Sequence, residues 1–172
     1  MIHSSKAVLL VAALGLAACS EPGAFRGMPD GTGPGTPGAD GALPGSIDDP
    51  ASPAYFNEAI GDRVLFAVDE STLDAEARNT LTAQARWLMD NPEYTAIIEG
   101  HADEQGTREY NLALGARRAG AVQQFLLAQG VSPDRLRTVS YGKERPLAVC
   151  SDETCYRQNR RAVTVLQAGS GV

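Results

Sequence analysis

The sequence predicts an α/β fold: a two-layer sandwich with a βαβαβ-type core and helices packed on one face of a four-stranded mixed sheet. Two observations support this prediction. Four short runs rich in β-branched and apolar residues alternate with helical segments, and the two long helical segments carry apolar residues every three or four positions. A chain with this order of elements buries its apolar faces when the helices lie on the sheet as a second layer.

The elements follow one another in a regular order. Their predicted bounds are strand Arg63–Val68, helix Asp74–Asp90, strand Thr95–Glu99, helix Thr107–Gln129, strand Leu136–Tyr141, short helix Asp152–Asn159 and strand Arg161–Leu166. Each strand is a short apolar or β-branched run bounded by turn-forming residues. Ser132-Pro133-Asp134 is one of these turns, and Gly142 to Val149 is predicted to be a loop.

The two long helices are predicted from their apolar spacing. The apolar residues of the first are four, four, four and three positions apart: Leu73, Ala77, Leu81, Ala85 and Leu88. Ser71 or Thr72 can cap its start, and Asn91-Pro92 ends it because the residue before a proline avoids helical geometry. One face of the second helix carries Leu114, Arg118, Val122 and Phe125.

An arginine on an apolar helical face needs a partner. Moving a guanidinium out of water without a counter-charge costs several kcal/mol, so we expect Arg118 to meet either a protein carboxylate such as Asp103 or the carboxylate of a ligand. Asp103 lies in the loop before the helix, where backbone N–H groups and the helix dipole favour an anion. Thr107 and Asn111 lie on the same side as Arg118. These groups suit a small zwitterion; solvated loop acids that cap the helix, here Asp103 and Glu104, are the structural alternative.

The same loop does not predict an enzyme or a metal site. His101 has acids nearby, but neither a second histidine nor a close cysteine accompanies it as a zinc site requires. Ser140 can be drawn with His101 and Asp103 as a triad, but no nucleophile elbow surrounds it. We therefore expect no catalytic activity, no metal and no cofactor.

The first residues are typical of a secretory signal. His3 and Lys6 precede an uncharged apolar run, Ala7 to Ala18, which is shorter than the roughly 20 residues needed to span a bilayer as a helix. The run ends in Leu-Ala-Ala-Cys, which resembles the lipobox of bacterial lipoproteins. We therefore expect a signal peptide at residues 1–18 and a diacylglycerol on Cys19. A plain secretory signal followed by a chance cysteine is the alternative.

A linker follows the lipidated N-terminus, and the two together occupy residues 19–54. Glu21 to Pro53 is rich in glycine and proline and offers almost nothing to bury, so no core is expected there. Treated as a flexible coil, this segment spans roughly 30 to 35 Å, and a spacer of unselected length is the alternative. The composition becomes globular at Tyr55, which predicts a domain at residues 55–172.

The charge balance argues against nucleic acid as a partner. The chain has 15 basic and 21 acidic side chains and a net charge of −6, which becomes −7 when the signal is lost with Lys6. A nucleic acid requires a basic face. Positive charge is concentrated only in the pairs Arg117-Arg118 and Arg160-Arg161.

Two further cysteines, Cys150 and Cys155, are separated by four residues. In a chain that leaves the cytoplasm, this spacing predicts a disulfide. Closing so small a loop adds roughly 2 kcal/mol in the chain-entropy account, and two unpaired thiols are the alternative.

The chain resembles the OmpA-like peptidoglycan-binding domain family and, within it, the peptidoglycan-associated lipoproteins. The matching segments follow the order of the family pattern: Phe66–Asp69, Gly100–Asn111, Leu114–Val122, Val139–Pro146 and Asn159–Val163. The resemblance covers nearly all of residues 62–166. Two positions depart from the pattern: Ala67 replaces an aspartate, and Gln105 replaces an arginine, which removes a positive charge beside the expected site.

The resemblance implies noncovalent binding of peptidoglycan through the diaminopimelate of its stem peptide. By motif position, Asp103 and Arg118 are the implied principal ligands. Thr107 and Asn111 support them, and Asp69 contributes from the end of the first strand. Arg118 would clamp the side-chain carboxylate of diaminopimelate, and Asp103 would order the loop or meet the ammonium group.

The resemblance also implies a location and partners. Family members are lipid-anchored in the outer membrane and face the periplasm, and Ser20, rather than an aspartate, after Cys19 agrees with this. They belong to the Tol-Pal system of envelope integrity and cell division, where a TolB-like periplasmic protein competes with peptidoglycan. The alternatives are a protein-interaction module with wall binding secondary, and a cell-wall hydrolase. A flagellar stator component shares the domain, but the lipobox argues against one.

Overall fold

The structure, a computed structural model, describes residues 43–168. Its elements are α1 (Pro53–Tyr55, continued by a π-helical turn at Phe56–Gly61), β1 (Arg63–Leu65), α2 (Ala75–Asp90), β2 (Tyr94–His101), α3 (Arg108–Ala128), a 3₁₀ turn (Pro133–Arg135), β3 (Leu136–Gly142), α4 (Glu153–Asn159) and β4 (Arg161–Ala168). Among these residues, no helix has both the length and the apolar character needed to cross a bilayer.

The four strands form one mixed sheet in the order β1-β4-β2-β3. β2 and β3 are parallel, whereas β4 runs antiparallel to both β1 and β2. The carboxyl ends of β1, β2 and β3 and the amino end of β4 therefore lie at the same edge of the sheet. The loops that carry the expected site residues follow β1 and β2, so this topology brings them together.

The long helices pack against the sheet and each other around one apolar core, which confirms the predicted fold class. All five apolar residues that predicted α2 are buried. The side chains that expose 1% or less of their surface include Phe56, Leu81, Leu88, Ile98, Val122 and Leu126. Full burial of side chains of this size stabilises the fold by about 1.5 to 3 kcal/mol each.

Two glycines set the distance between β2 and α3. A Cβ atom on Gly100 would lie 1.8 Å from the carbonyl oxygen of Gly115, and a Cβ on Gly115 would lie 2.7 Å from the carbonyl oxygen of Gly100. No side chain fits at either position, so the helix lies almost directly on the strand. This close approach fixes the start of α3 relative to the loop that follows β2.

The structure differs from the predicted bounds at the first strand and the first long helix. β1 ends at Leu65 rather than Val68, because the chain leaves the sheet after Phe66 and turns at residues 67–70. The cap of α2 is Asp74, whose side chain accepts a hydrogen bond from the backbone N–H of Ala77 at 2.8 Å. Neither Ser71 nor Thr72 takes this role.

Contacts with the body of the domain begin before Tyr55. The indole Nε1 of Trp87 donates a hydrogen bond to the carbonyl oxygen of Pro50 at 2.7 Å, and Ser52 exposes only 2% of its surface while it caps α1. Composition assigned these residues to the linker because small and polar residues give no periodic signal. The predicted signal peptide and Cys19 lie outside the described residues.

Candidate functional site

Two loops meet at the edge of the sheet where β1 and β2 end. The first loop is residues 66–70 and the second loop is residues 102–107. Between these loops and the first turns of α3 lies a cavity of about 220 Å³. Its lining includes Asp69, Asp103, Gln105, Tyr110, Asn111 and Leu114. Three of the five residues expected to bind a ligand therefore face one cavity.

Arg118 lies behind this cavity and exposes none of its surface. Its guanidinium donates three hydrogen bonds to backbone carbonyl oxygens: Nε to Glu70 at 2.8 Å, Nη1 to His101 at 2.8 Å and Nη2 to Ala67 at 3.1 Å. It also lies over the ring of Phe66, 5.1 Å from the ring centre. Burial lowers the pKa of Arg118 to about 10, although the charge of Asp103 opposes this shift.

The expected pairing of Arg118 with Asp103 is corrected, because neither a hydrogen bond nor an ion pair joins the two side chains. The expected contact with the carboxylate of a ligand stays a prediction, and it would require the guanidinium to become accessible, since Arg118 exposes none of its surface. Backbone carbonyls satisfy the guanidinium instead, because a rigid fork of five donors matches several carbonyl groups that converge from the first loop and the end of β2. Sequence periodicity showed that Arg118 needed acceptors but not which ones.

Arg160 is the direct partner of Asp103, and the sequence analysis did not assign it to the site. It exposes 3% of its surface, and its Nη1 lies 3.2 Å from Oδ2 of Asp103. Its Nε donates to the carbonyl of Phe66 at 3.2 Å, and it also pairs with Glu153 of α4. These acids raise the pKa of Arg160, with Glu153 the larger cause. The signal available in the sequence was the Arg160-Arg161 pair at the start of the last strand.

The two buried arginines together hold both loops. Arg118 binds carbonyls at residues 67, 70 and 101, and Arg160 binds the carbonyl at residue 66 and the carboxylate of Asp103. Each charge-assisted hydrogen bond of this kind contributes about 1.5 to 3 kcal/mol. The loops therefore have a fixed separation without being part of the sheet.

Asp69 occupies the mouth of the cavity. Among residues 43–168 it is the one non-glycine residue with a positive φ, 58°, and such strained positions concentrate at binding sites. The hydroxyl of Tyr110 donates a hydrogen bond to its carboxylate, which raises the pKa of Tyr110. Asp69 is exposed, so this carboxylate is accessible to a ligand cation.

Thr107 and Asn111 shape the cavity rather than fill it. The Thr107 hydroxyl caps α3 by accepting a hydrogen bond from the N–H of Tyr110 at 3.2 Å. The side-chain amide of Asn111 donates to the carbonyl of Gln105 at 2.6 Å. The backbone N–H of Gln105 in turn donates to Oδ1 of Asp103 at 3.2 Å, so one side chain of the second loop and one of α3 order this loop.

His101 lies beside the site but on the opposite face of the sheet from α3. It exposes 2% of its surface, and neither ring nitrogen has a hydrogen-bond partner among the described residues. The nearest carboxylate oxygen, from Glu99, is 3.6 Å from Nε2. Burial is the main cause that lowers the pKa of His101 to about 4, and the charges of Arg161 and Arg145 contribute to the same shift. The ring is therefore neutral at pH 7, and its role is to pack against Tyr141.

Cys150 and Cys155 are joined by a disulfide, with Cα atoms 5.7 Å apart. In the described part of the chain, these cysteines and Asp152 are also the one grouping of metal-binding residue types. The disulfide occupies both sulfur atoms, which leaves Asp152 as a cap for α4.

A larger groove of about 420 Å³ lies elsewhere, between α1 and α2, and is lined by residues that include Tyr55, Ile60 and Trp87. Its lining is mostly apolar, with Arg86 and Asp90 as its charged groups. The smaller cavity between the two loops is the better candidate, because buried charges and a strained backbone converge there.

Comparison with known proteins identifies the family. The profile of the OmpA family matches residues 65–161, which include the last residue of β1, all of β2, both site loops, α3 and Arg160.

The chain belongs to the OmpA family.

Relatives of similar length support this assignment. The peptidoglycan-associated lipoprotein of Agrobacterium fabrum is 49% identical over 166 residues, which are 96% of this chain and 88% of that protein. The protein of the same name from Mesorhizobium japonicum is 50% identical over 164 residues, covering 95% and 92%. Among solved structures, the peptidoglycan-associated lipoprotein of Burkholderia pseudomallei is 39% identical, with a TM-score of 0.63, and covers 70% of this chain and 98% of that one. The OmpA-family fold is thus shared with proteins named for an association with peptidoglycan.

Proposed function

We propose that the chain binds peptidoglycan noncovalently through the diaminopimelate of the stem peptide. The observation that carries this proposal is the cavity between the two loops, where the carboxylates of Asp69 and Asp103 are held beside the start of α3. Relatives at about 50% identity are named for association with peptidoglycan. No bond needs to be broken, so the proposed activity is binding and not catalysis.

The zwitterionic end of diaminopimelate fits the charges of this cavity. Its ammonium would meet Asp69 at the mouth and Asp103 inside. Its carboxylate would lie toward the N-terminal turn of α3 and the amide of Asn111, where N–H donors and the helix dipole favour an anion. Arg118 is proposed to act from behind, through its positive charge and its hold on the loops, because none of its surface is exposed.

We further propose that the chain is an outer-membrane lipoprotein. In this proposal the signal peptide occupies residues 1–18, the lipid is carried by Cys19, a linker extends to residue 54, and the domain at residues 55–172 faces the periplasm. The lipobox and the names of the relatives support this arrangement. The anchor and the domain together would tether the outer membrane to the cell wall.

A TolB-like periplasmic protein is the second proposed partner, within a Tol-Pal system that acts in envelope integrity and division. Two large side chains that line the cavity, Val68 and Tyr110, expose 57% and 44% of their surface. Such a rim suits a protein surface that would cover the cavity. The proposal predicts that sacculi and the TolB homologue compete for the purified chain, and simultaneous binding would contradict a shared surface.

Sedimentation with isolated sacculi tests the wall-binding proposal. The chain should sediment with sacculi, and Asp69→Asn and Asp103→Asn should each remain in the supernatant. Asp90→Asn is the matched control, because it removes an exposed carboxylate at the end of α2, away from the cavity. Sedimentation of both site variants at the wild-type level would refute the site. Release of soluble muropeptides would instead indicate a hydrolase.

A further inference from the structure

α4 is a short helix that borders the second loop through two polar contacts. The carboxylate of Glu153 pairs with Arg160, the same residue that holds Asp103. One turn later, the hydroxyl of Tyr156 donates a hydrogen bond to Oε1 of Glu104 at 3.0 Å. The first contact reaches Asp103 of the second loop through Arg160, and the second reaches Glu104 directly, although α4 does not line the cavity.

Arg160 divides its hydrogen bonds unequally between Asp103 and Glu153. Nη1 lies 3.2 Å from Oδ2 of Asp103 and 3.3 Å from Oε2 of Glu153, while Nη2 bonds to Glu153 alone. The backbone bond from Nε to Phe66 fixes the plane of the guanidinium. Glu153 therefore takes the larger part of a charge that would otherwise neutralise Asp103.

Three local features hold α4 in the position that this sharing requires. The disulfide between Cys150 and Cys155 joins the preceding loop to the first turn. Asp152 caps that turn through the N–H groups of residues 154 and 155. At the other end, the side chain of Asn159 accepts hydrogen bonds from the N–H groups of residues 147 and 148 and donates to the carbonyl of residue 148. A helix of seven residues is not stable alone, so these features determine where Glu153 lies.

We propose that Glu153 is a positioning residue that controls how much negative charge Asp103 presents to the ammonium of a ligand. By holding Arg160, it leaves the carboxylate of Asp103 only partly neutralised, and the disulfide keeps it in place. This inference rests on the proposed function, since it concerns the same cavity. Without Glu153, the charge of Arg160 acts on Asp103 alone, through Nη1, and weakens the attraction of Asp103 for the ligand cation.

Calorimetric titration of the full chain tests this proposal. The probes are a synthetic stem tripeptide ending in meso-diaminopimelate and the same peptide with its side-chain amine acetylated. Glu153→Gln keeps the shape and removes the charge, so it should weaken binding of the free-amine peptide by about fivefold, the scale of an exposed ion pair. The acetylated peptide has no ammonium, and its affinity should not change. Glu153→Asp should recover part of the loss.

Two further variants separate positioning from a general effect on the domain. Glu144→Gln removes an exposed acid that pairs with Arg108 at 3.0 Å and should bind both peptides as wild type does. The double variant Cys150→Ser, Cys155→Ser should weaken the free-amine peptide in the same direction as Glu153→Gln while the domain stays folded by circular dichroism.

The outcomes are distinguishable. If the wild-type chain binds neither peptide, the proposed function fails. If wild type binds and Glu153→Gln binds the free-amine peptide equally well, the positioning role is overturned. Equal weakening of both peptides by Glu153→Gln would also overturn it, because it would indicate a structural role. Wild-type affinity in the double cysteine variant would refute the part assigned to the disulfide.

Discussion

Replacing Arg118 with alanine removes a buried cation that binds three backbone carbonyls, two in the first loop and one at the end of β2. Three charge-assisted hydrogen bonds contribute about 1.5 to 3 kcal/mol each, but the guanidinium regains its hydration in the unfolded chain. The net loss should therefore resemble the 3 to 5 kcal/mol typical of breaking a buried charged network. Against a total stability of about 5 to 15 kcal/mol for a domain, this leaves the variant folded but marginal.

Urea unfolding followed by fluorescence measures this loss directly. Trp87 is the one tryptophan of the chain, exposes 5% of its surface and packs against Phe56 with ring centres 4.9 Å apart. Its emission should therefore report loss of the core. Arg118→Lys should recover only part of the stability, because an ammonium cannot span three diverging carbonyls. Arg117→Ala is the matched control on the exposed face of α3 and should change stability by less than about 0.5 kcal/mol.

One result would refute this reasoning about Arg118. If Arg118→Ala unfolds at the wild-type urea concentration with an unchanged slope yet no longer binds sacculi, then the arginine is a direct ligand and not a clamp for the loops. A loss of binding that follows the loss of stability supports the clamp.

Three other predictions follow from the same structure. Gly115→Ala should cost about 1 to 3 kcal/mol in urea unfolding, because its Cβ meets Oγ of Ser140 at 2.4 Å. Folding lowers the pKa of His101 to about 4, so on acidification the unfolded chain binds the proton first. The free energy of unfolding should therefore have its full value above pH 6.5 and fall by up to about 3 kcal/mol as the pH decreases toward 4. His101→Phe should flatten this pH dependence, and an unchanged profile would contradict it. Tyr110→Phe frees Asp69 from its internal donor and should strengthen stem-peptide binding about two- to tenfold in calorimetry, whereas weaker binding would show that the hydroxyl contacts the ligand.

The helices were predictable because their signals are local. The predicted α3 differs from the observed Arg108–Ala128 only by its two caps, Thr107 and Gln129, since apolar spacing and capping residues are read within a few turns of chain. The π-helical turn at Phe56–Gly61 was not predicted because it is short and has no periodic pattern. Likewise, the contact of Trp87 with Pro50 joins residues 37 positions apart, and the local sequence around either residue carries no signal for it.

The residues of the site could be predicted from the sequence, but the partners of its charged side chains could not. Charge compensation showed that Arg118 must find acceptors, yet its partners are backbone carbonyls as far as 51 residues away along the chain, and every residue type carries a carbonyl. Asp103 pairs with Arg160 across 57 residues because β4 begins at the edge where β2 ends. That pairing depends on the strand order, which element prediction alone does not specify.

The most direct test of the central claim is a ¹H–¹⁵N NMR titration of the chain with a stem peptide that ends in diaminopimelate. We expect saturable shifts confined to the two loops and the first turn of α3, with Asp69, Gln105 and Tyr110 among the affected amides, while the resonance of the indole N–H of Trp87 does not move. In Asp69→Asn these shifts should require much more peptide, and the fold should persist because asparagine tolerates a positive φ. Absence of shifts in the wild-type chain, or shifts centred on the groove beside Trp87, would contradict the account.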